Sequence, residues 1–325
     1  IETIYFGGGT PSLVSIQELE SILKTLRIAH WVDTSAEITL EVNPDDVTLD
    51  QLKAWKDLGI NRLSIGIQSF NDIDLQWMNR AHTAKQALEA LENCLRYFEN
   101  CTLDLIYGLP HMSADDWKNN VTQALQLGVP HLSCYALTVE DKTALHRMIQ
   151  NKKIDRVHPE HQAAHFEIIT NYTEKIGMEH YEISNFSQPG FRSKHNSNYW
   201  KGVPYLGLGP SAHSYNKNTR QWNVANNQLY FSTLKKNELP FEIEQLPLAT
   251  KYNEYMMISL RCIEGFSLTY IFQNFGPEFH AHTLTITQGF LAKKWLTETS
   301  QGFTLTKSAK FFADGIASDF FWIDK

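Results

Sequence analysis

Apolar residues gather in short runs at 1–6, 36–42, 62–68, 102–108, 131–137 and 180–185. Their spacing of roughly thirty residues is that of a repeated strand–helix–strand unit. Between the runs, hydrophobic positions take a helical period behind clear start signals. Ser15 with Glu18, and Thr48 with Gln51, have the spacing at which a capping hydroxyl and a third-position side chain satisfy each other's backbone donors. The first of these helices is predicted to reach about Trp31, and the second is closed by Gly59. Further helices are predicted at 84–98 behind Thr83, at 114–127 behind Ser113 with Gly128 as the stop, and at 159–176 ending at Gly177. One helix between strands returns the chain to the same edge, so the strands are predicted to pair in parallel.

After position 185 the texture changes to a loop rich in Ser, Asn, Gly, Pro and aromatics, running to about Asn227. Within it, 205–215 is a glycine-interrupted segment expected to close the first domain. Beyond Pro247, helices are predicted at 249–261, 267–275 and 277–293, then a hairpin of 295–299 and 303–306 around Gln301-Gly302, then a helix at 308–321. That order is winged-helix-like. The expected organisation is a barrel domain with its loop at 1–215, a connecting segment at 216–247 and a small α+β domain at 248–325.

A chain of 325 residues with 42% hydrophobic and 12% aromatic content buries a large core, which excludes a disordered or fibrous role. The net charge of -7, without a long basic run, argues against a nucleic-acid surface, so the winged-helix-like part is expected to pack or dock a partner. No apolar stretch approaches the length of about 18 residues that spans a membrane, and no signal peptide is visible. A cytoplasmic protein with at most peripheral membrane contact is expected. The four cysteines, Cys94, Cys101, Cys134 and Cys262, have no metal-ligand spacing, so no metal site is expected from this chain alone. Because the chain opens with Ile inside a core strand, a segment upstream of Ile1 is expected to be missing.

The first run flows into Gly7-Gly8-Gly9-Thr10-Pro11, a strand feeding a glycine turn whose backbone can approach a ligand. The turn lacks the spacing of the dinucleotide fingerprint, which favours a closed or partial barrel over an open Rossmann sheet. Glu41, Gln68, Arg80 and Asp104 fall at or near strand ends, where such folds gather function. Asp104 alternates with Leu103 and Leu105, so it faces the barrel interior, where a carboxylate needs a partner or a ligand hydroxyl. Singly, these residues also fit structural roles: an ion pair of Glu41 with Arg80, and Asp104 satisfying backbone donors.

Together, Gly7-Gly8-Gly9-Thr10-Pro11, Glu41-Val-Asn-Pro44, Gly66-Ile-Gln68-Ser-Phe70, Arg80, Asp104-Leu-Ile-Tyr-Gly-Leu-Pro110 and Gly207-Leu-Gly-Pro-Ser-Ala-His213 form a series. That series resembles the radical S-adenosylmethionine (SAM) proteins related to oxygen-independent coproporphyrinogen III oxidase, in order and across essentially the whole chain. The resemblance implies a partial (β/α)6 barrel, here lacking its first strand, that holds SAM against a [4Fe-4S] cluster. It places Gly8, Gly9 and Thr10 at the methionyl end, Arg80 on the carboxylate with Glu41 assisting, Gln68 and Asp104 at the ribose hydroxyls, and Ala136 and His213 around the adenosine. The family's CxxxCxxC cluster loop does not occur in the chain, and its cysteines are expected upstream of Ile1.

His195-Asn-Ser-Asn-Tyr199-Trp200 resembles the heme-handling signature of the family's heme-chaperone branch, HemW. Imidazole ligates heme iron, and Tyr199 and Trp200 offer flat apolar surface to a porphyrin. The plainer alternative is a loop histidine with two aromatic anchors. The branch implies a chaperone that binds heme and delivers it to apoproteins. Two competing readings are a coproporphyrinogen oxidase, in which a radical removes hydrogen from a propionate that then loses carbon dioxide to leave a vinyl group, and a non-catalytic scaffold barrel.

Overall fold

Strict alternation along the strands builds the first unit of the molecule, which a computed structural model describes over residues 1–323. Its elements run β1 (Thr3–Phe6), α1 (Ile16–Ala29), β2 (Glu37–Val42), α2 (Leu49–Asp57), β3 (Arg62–Gln68), α3 (Asp72–Trp77), α4 (Ala84–Tyr97), β4 (Cys101–Tyr107) and α5 (Ala114–Gln126). They continue with β5 (His131–Ala136), α6 (Ala144–Gln150), α7 (Pro159–Lys175), β6 (Glu179–Glu182) and β7 (Asn185–Ser187). The seven strands form one sheet in the order β1-β2-β3-β4-β5-β7-β6, with β1 to β5 parallel. The α/β architecture with a mostly parallel sheet is the one expected.

On one side of the sheet stand Ile38, Leu40, Leu63, Ile65, Leu103, Leu105 and Leu132, which form the core with buried helix residues such as Leu19, Leu52, Leu91 and Trp117. On the other stand Glu37, Thr39, Arg62, Ser64, Thr102, His131 and Ser133, buried as well but polar. The capping boxes predicted at Ser15 and Thr48 close onto their helices, and Thr83 and Ser113, predicted only as helix starts, form capping boxes as well.

The run at 180–185 is not one parallel strand. It divides into the hairpin of β6 and β7, and β7 meets β5 antiparallel. Glu182 staples the turn, its Oε2 accepting from Ser184 N at 2.9 Å and from Asn185 Nδ2 at 2.6 Å. A further helix, α8 (Lys194–Trp200), forms where a loop was expected.

The chain divides into two units after residue 195, so 196–215 groups with the second unit rather than with the barrel domain. Within the second unit, β8 (His213–Tyr215), β9 (Thr219–Asn223), α9 (Asn227–Leu234) and β10 (Phe241–Gln245) form an antiparallel sheet, β10-β9-β8, with a helix. The expected connecting segment at 216–247 therefore carries ordered structure of its own. Then come α10 (Leu248–Arg261), β11 (Phe266–Ser267), α11 (Leu268–Phe275), α12 (Pro277–Ala292), β12 (Leu296–Glu298), β13 (Gly302–Leu305) and α13 (Ala313–Asp319). The small sheet β11-β13-β12 is the predicted hairpin with one added strand. The last helix is shorter than predicted, because a 3-10 turn at Lys310–Phe312 precedes it. Asp324 and Lys325, the end of the expected third domain, lie outside the described residues. Among the described residues no helix is long and apolar enough to cross a membrane.

Candidate functional site

The polar side of the parallel sheet opens into a cavity of about 270 Å³ at the carboxyl ends of the strands. Gly9, Thr10, Glu41, Gln68 and Asp104, all singled out in the sequence, line it together with Ser12, Asn43, Ser64, Gly66 and Tyr135. The alternation explains the convergence. Glu41 on β2, Ser64 on β3, Asp104 on β4 and Tyr135 on β5 all take polar-face positions of parallel neighbours, Glu41 and Tyr135 next to the last residue of their strands and Ser64 and Asp104 within theirs.

Gly8 and Gly9 adopt φ of +76° and +62°, and a Cβ on either would meet nothing within 4 Å. Their glycine character therefore follows from the left-handed turn rather than from crowding, and open space is left above them. Glu41 holds the turn in place. Its Oε2 accepts from Gly8 N at 3.1 Å, and its Oε1 accepts from the Tyr5 hydroxyl at 2.7 Å.

Gln68 is buried with φ +68°, where the β3–β4 register shifts. A bulge with a non-glycine residue in the left-handed region costs on the order of 1 kcal/mol and re-aims a side chain. A Cβ on Gly66 would lie 2.9 Å from Gln68 Nε2, so the glycine makes room for that amide.

Asp104 accepts from Ser64 Oγ at 3.2 Å. Burial raises its carboxyl pKa to about 7; the bond from Ser64 opposes the rise, and the nearby Glu41 charge adds to it. A carboxyl poised this way changes charge when a hydroxyl or cationic ligand arrives.

Arg80 follows α3 and is exposed. Partial desolvation lowers its pKa, against the attraction of Asp45 and then Asp104, so the guanidinium lies within electrostatic reach of the cavity carboxyl. Asp74 accepts from Ser69 Oγ at 2.6 Å and bonds His111 Nε2 at 3.0 Å, tying the loop after β4 to the segment that leads to Arg80. Ala136 ends β5 one position beyond Tyr135, at an apolar-face position. His213 lies on β8 in the second unit, exposed, its ring 6.4 Å from that of Trp222. Ser64 and Tyr135 were missed as site residues, although their alternation with buried aliphatics was the available signal.

His195 opens α8 from the first unit. Glu37 accepts from Lys194 N at 3.1 Å and from His195 N at 2.9 Å, a carboxylate at a helix start. The imidazole bonds through Nδ1 to Thr3 Oγ1 at 2.8 Å and stacks on Tyr5, with centroids 4.9 Å apart. Burial lowers its pKa despite the Glu37 charge, which keeps the ring neutral and able to ligate a metal. Tyr199 and Trp200 belong to the second unit, where Tyr199 packs edge-on against Tyr205 at 4.7 Å.

The cysteines are of a different kind. Cys94, Cys101 and Cys134 are buried, and burial pushes each thiol up, Cys101 to about 12. Among the described residues no three His, Cys, Asp or Glu side chains converge as metal ligands. A cluster does not fit these side chains, whereas the cavity's acceptors and glycine turn fit a polar, cationic nucleoside.

Residues 1–124 match the radical SAM superfamily. The chain is 30% identical over 323 residues to the heme chaperone HemW of Bacillus subtilis, covering 98% of this chain and 85% of that protein. It is 35% identical over 266 residues to HemW of Lactococcus lactis, covering 82% and 70%. The coproporphyrinogen III oxidase HemN of Escherichia coli, a radical SAM enzyme of known structure, superposes with a TM-score of 0.83 at 20% identity, covering 98% of this chain and 77% of that one. That likeness is one of fold.

Proposed function

The chain belongs to the HemW family of radical SAM proteins, and from that premise we propose that it is a heme chaperone. It holds SAM in the glycine-turn cavity, binds heme at 195–200 and passes it to apoproteins, as a cytoplasmic protein. The superfamily carries SAM and a [4Fe-4S] cluster.

The chain's own residues do the binding. Gly8, Gly9 and Thr10 receive the methionyl end, and Arg80 forks onto its carboxylate. Glu41 accepts from its ammonium. Gln68 and Asp104 take the ribose hydroxyls, with Ala136 assigned to the adenosine. The cavity shared by Gly9, Thr10, Glu41, Gln68 and Asp104 supports this assignment.

The heme role is carried by one observation: His195 Nδ1 hydrogen-bonds the Thr3 hydroxyl at 2.8 Å, which orients the imidazole. In the tautomer with the proton on Nδ1 the ring donates to the Thr3 hydroxyl and Nε2 would be the ligating nitrogen, the arrangement in which a supporting hydrogen bond strengthens a histidine ligand. Tyr199 and Trp200 add aromatic surface.

Titration of the full-length protein with heme, followed at the Soret band, tests the assignment. His195→Ala is expected to weaken binding at least about tenfold, a loss of about 1.4 kcal/mol. Equal affinity in the variant would remove the proposed ligand.

A further inference from the structure

Tyr5 touches both halves of the proposed site. Its ring lies against His195 with an interplanar angle of 24°. Its hydroxyl donates to Glu41 Oε1, and the other oxygen of that carboxylate holds Gly8 N. One stack and two hydrogen bonds, all within the first unit, thus run from the imidazole to the backbone of the glycine turn.

The path is constrained at both ends and in the middle. The Tyr5 hydroxyl donates to a carboxylate oxygen at 2.7 Å, which fixes its orientation. Thr3 bonds the His195 ring at Nδ1, and Glu37 accepts from its backbone N–H. The turn itself is held by Glu41 rather than by packing, since nothing stands near the Cβ positions of Gly8 and Gly9. Glu41 has two alternatives. It holds Gly8 N through Oε2, the oxygen for which the ammonium of a bound ligand would compete, while Oε1 accepts from the Tyr5 hydroxyl.

We propose that Tyr5 couples the two sites: filling the glycine-turn cavity immobilises Glu41 and Tyr5, and thereby preorganises His195 so that heme binds more tightly. This rests on the heme-chaperone reading above. Linkage then requires heme to tighten SAM binding by the same factor, because the coupling free energy belongs to both ligands. The carboxylate with two arrangements is the element that each ligand biases.

The test is heme titration of the full-length protein with and without saturating SAM, in the parent and in Tyr5→Phe, which keeps the ring and removes the hydroxyl. In the parent, SAM is expected to lower the heme Kd at least about fivefold. In Tyr5→Phe the ratio of the two Kd values is expected to fall within about twofold, whatever the absolute affinity. Heme bound through His195 with no SAM effect, or with the same SAM effect in Tyr5→Phe, overturns the coupling and leaves the chaperone reading standing. Heme binding that ignores His195→Ala overturns both. Should Tyr5→Phe fold poorly, Tyr5→Leu, which removes ring and hydroxyl together, takes its place: the ratio of the two Kd values is again expected to fall within about twofold, and a retained SAM effect rejects the coupling.

Discussion

The two faces of the parallel sheet both carry fully buried side chains and are chemically opposite. Leu40, Leu63, Ile65, Leu103 and Leu105 have no exposed surface, and neither do Thr39 and His131, while Arg62 is 1% exposed. A parallel sheet covered on both sides ordinarily reads as unbroken aliphatic runs. Here alternate positions are polar along β2, β3, β4 and β5, at a desolvation cost that packing alone would never select. The apolar face holds the fold together, and the polar face is organised for ligands. Arg62 shows how the cost is contained: its guanidinium bonds Asn100, Thr102 and the carbonyl of Phe191, so the buried cation has acceptors around it.

The largest effects should come from the apolar face. Leu63→Ala is expected to lower unfolding stability by about 2–5 kcal/mol, the range for a fully buried leucine truncated in a packed core. Denaturant unfolding measures this, and a loss below about 1 kcal/mol would show that the face is not the core it resembles.

On the polar face the sign reverses. Asp104 titrates at about 7 in the folded protein against 3.8 ordinarily. Its carboxyl is therefore favoured in the protonated form on folding, and that contribution is lost as pH rises from 3.8 through about 7. Asp104→Asn should accordingly gain thermal stability over the parent, increasingly across that window, while SAM affinity falls. A variant that loses stability as pH rises would mean that the ionised carboxylate is what the fold wants. A core position cannot behave in the expected way, so the pair of variants separates a face built for packing from one built for binding.

Both faces were legible in the sequence to different degrees. Period-two alternation and the capping boxes placed β1 to β5 and the principal helices, because local hydrogen bonding and burial point to the same boundaries there. Alternation turned Asp104 inward and the strand end drew out Glu41, yet Ser64 and Tyr135 went unnoticed, since a serine and a tyrosine in a strand carry no chemical label until four strands are laid in register. The β6–β7 hairpin was hidden because its turn, Ile183-Ser184, is stapled by Glu182 and contains neither glycine nor proline. The segment 194–200 has no apolar stripe of helical period. Its helix is anchored from outside by Glu37, about 160 residues away in the chain, as the separations of 157 and 158 for its two bonds show. The sheet of β8, β9 and β10 went unread for a related reason: every residue of β10 is exposed, so no buried alternation marks it.

The smallest expected effect tests whether the polar face is retained in spite of its cost. Thr39 Oγ1, His131 Nδ1 and Ser187 Oγ are buried without a hydrogen-bond partner. An unsatisfied buried hydroxyl costs about 1–3 kcal/mol, whereas a methyl group of the same shape at the same place costs nothing in desolvation. Thr39→Val keeps the volume and the β-branch of a strand residue and removes only the orphaned oxygen. It is therefore expected to leave the fold unchanged and to raise stability by up to about 1 kcal/mol, read as a shift in the unfolding midpoint at constant slope. A clear loss instead would mean that the hydroxyl has a partner in solution, such as a buried water bridging toward Arg62, and the contrast between the faces would then be between two satisfied cores rather than between packing and function.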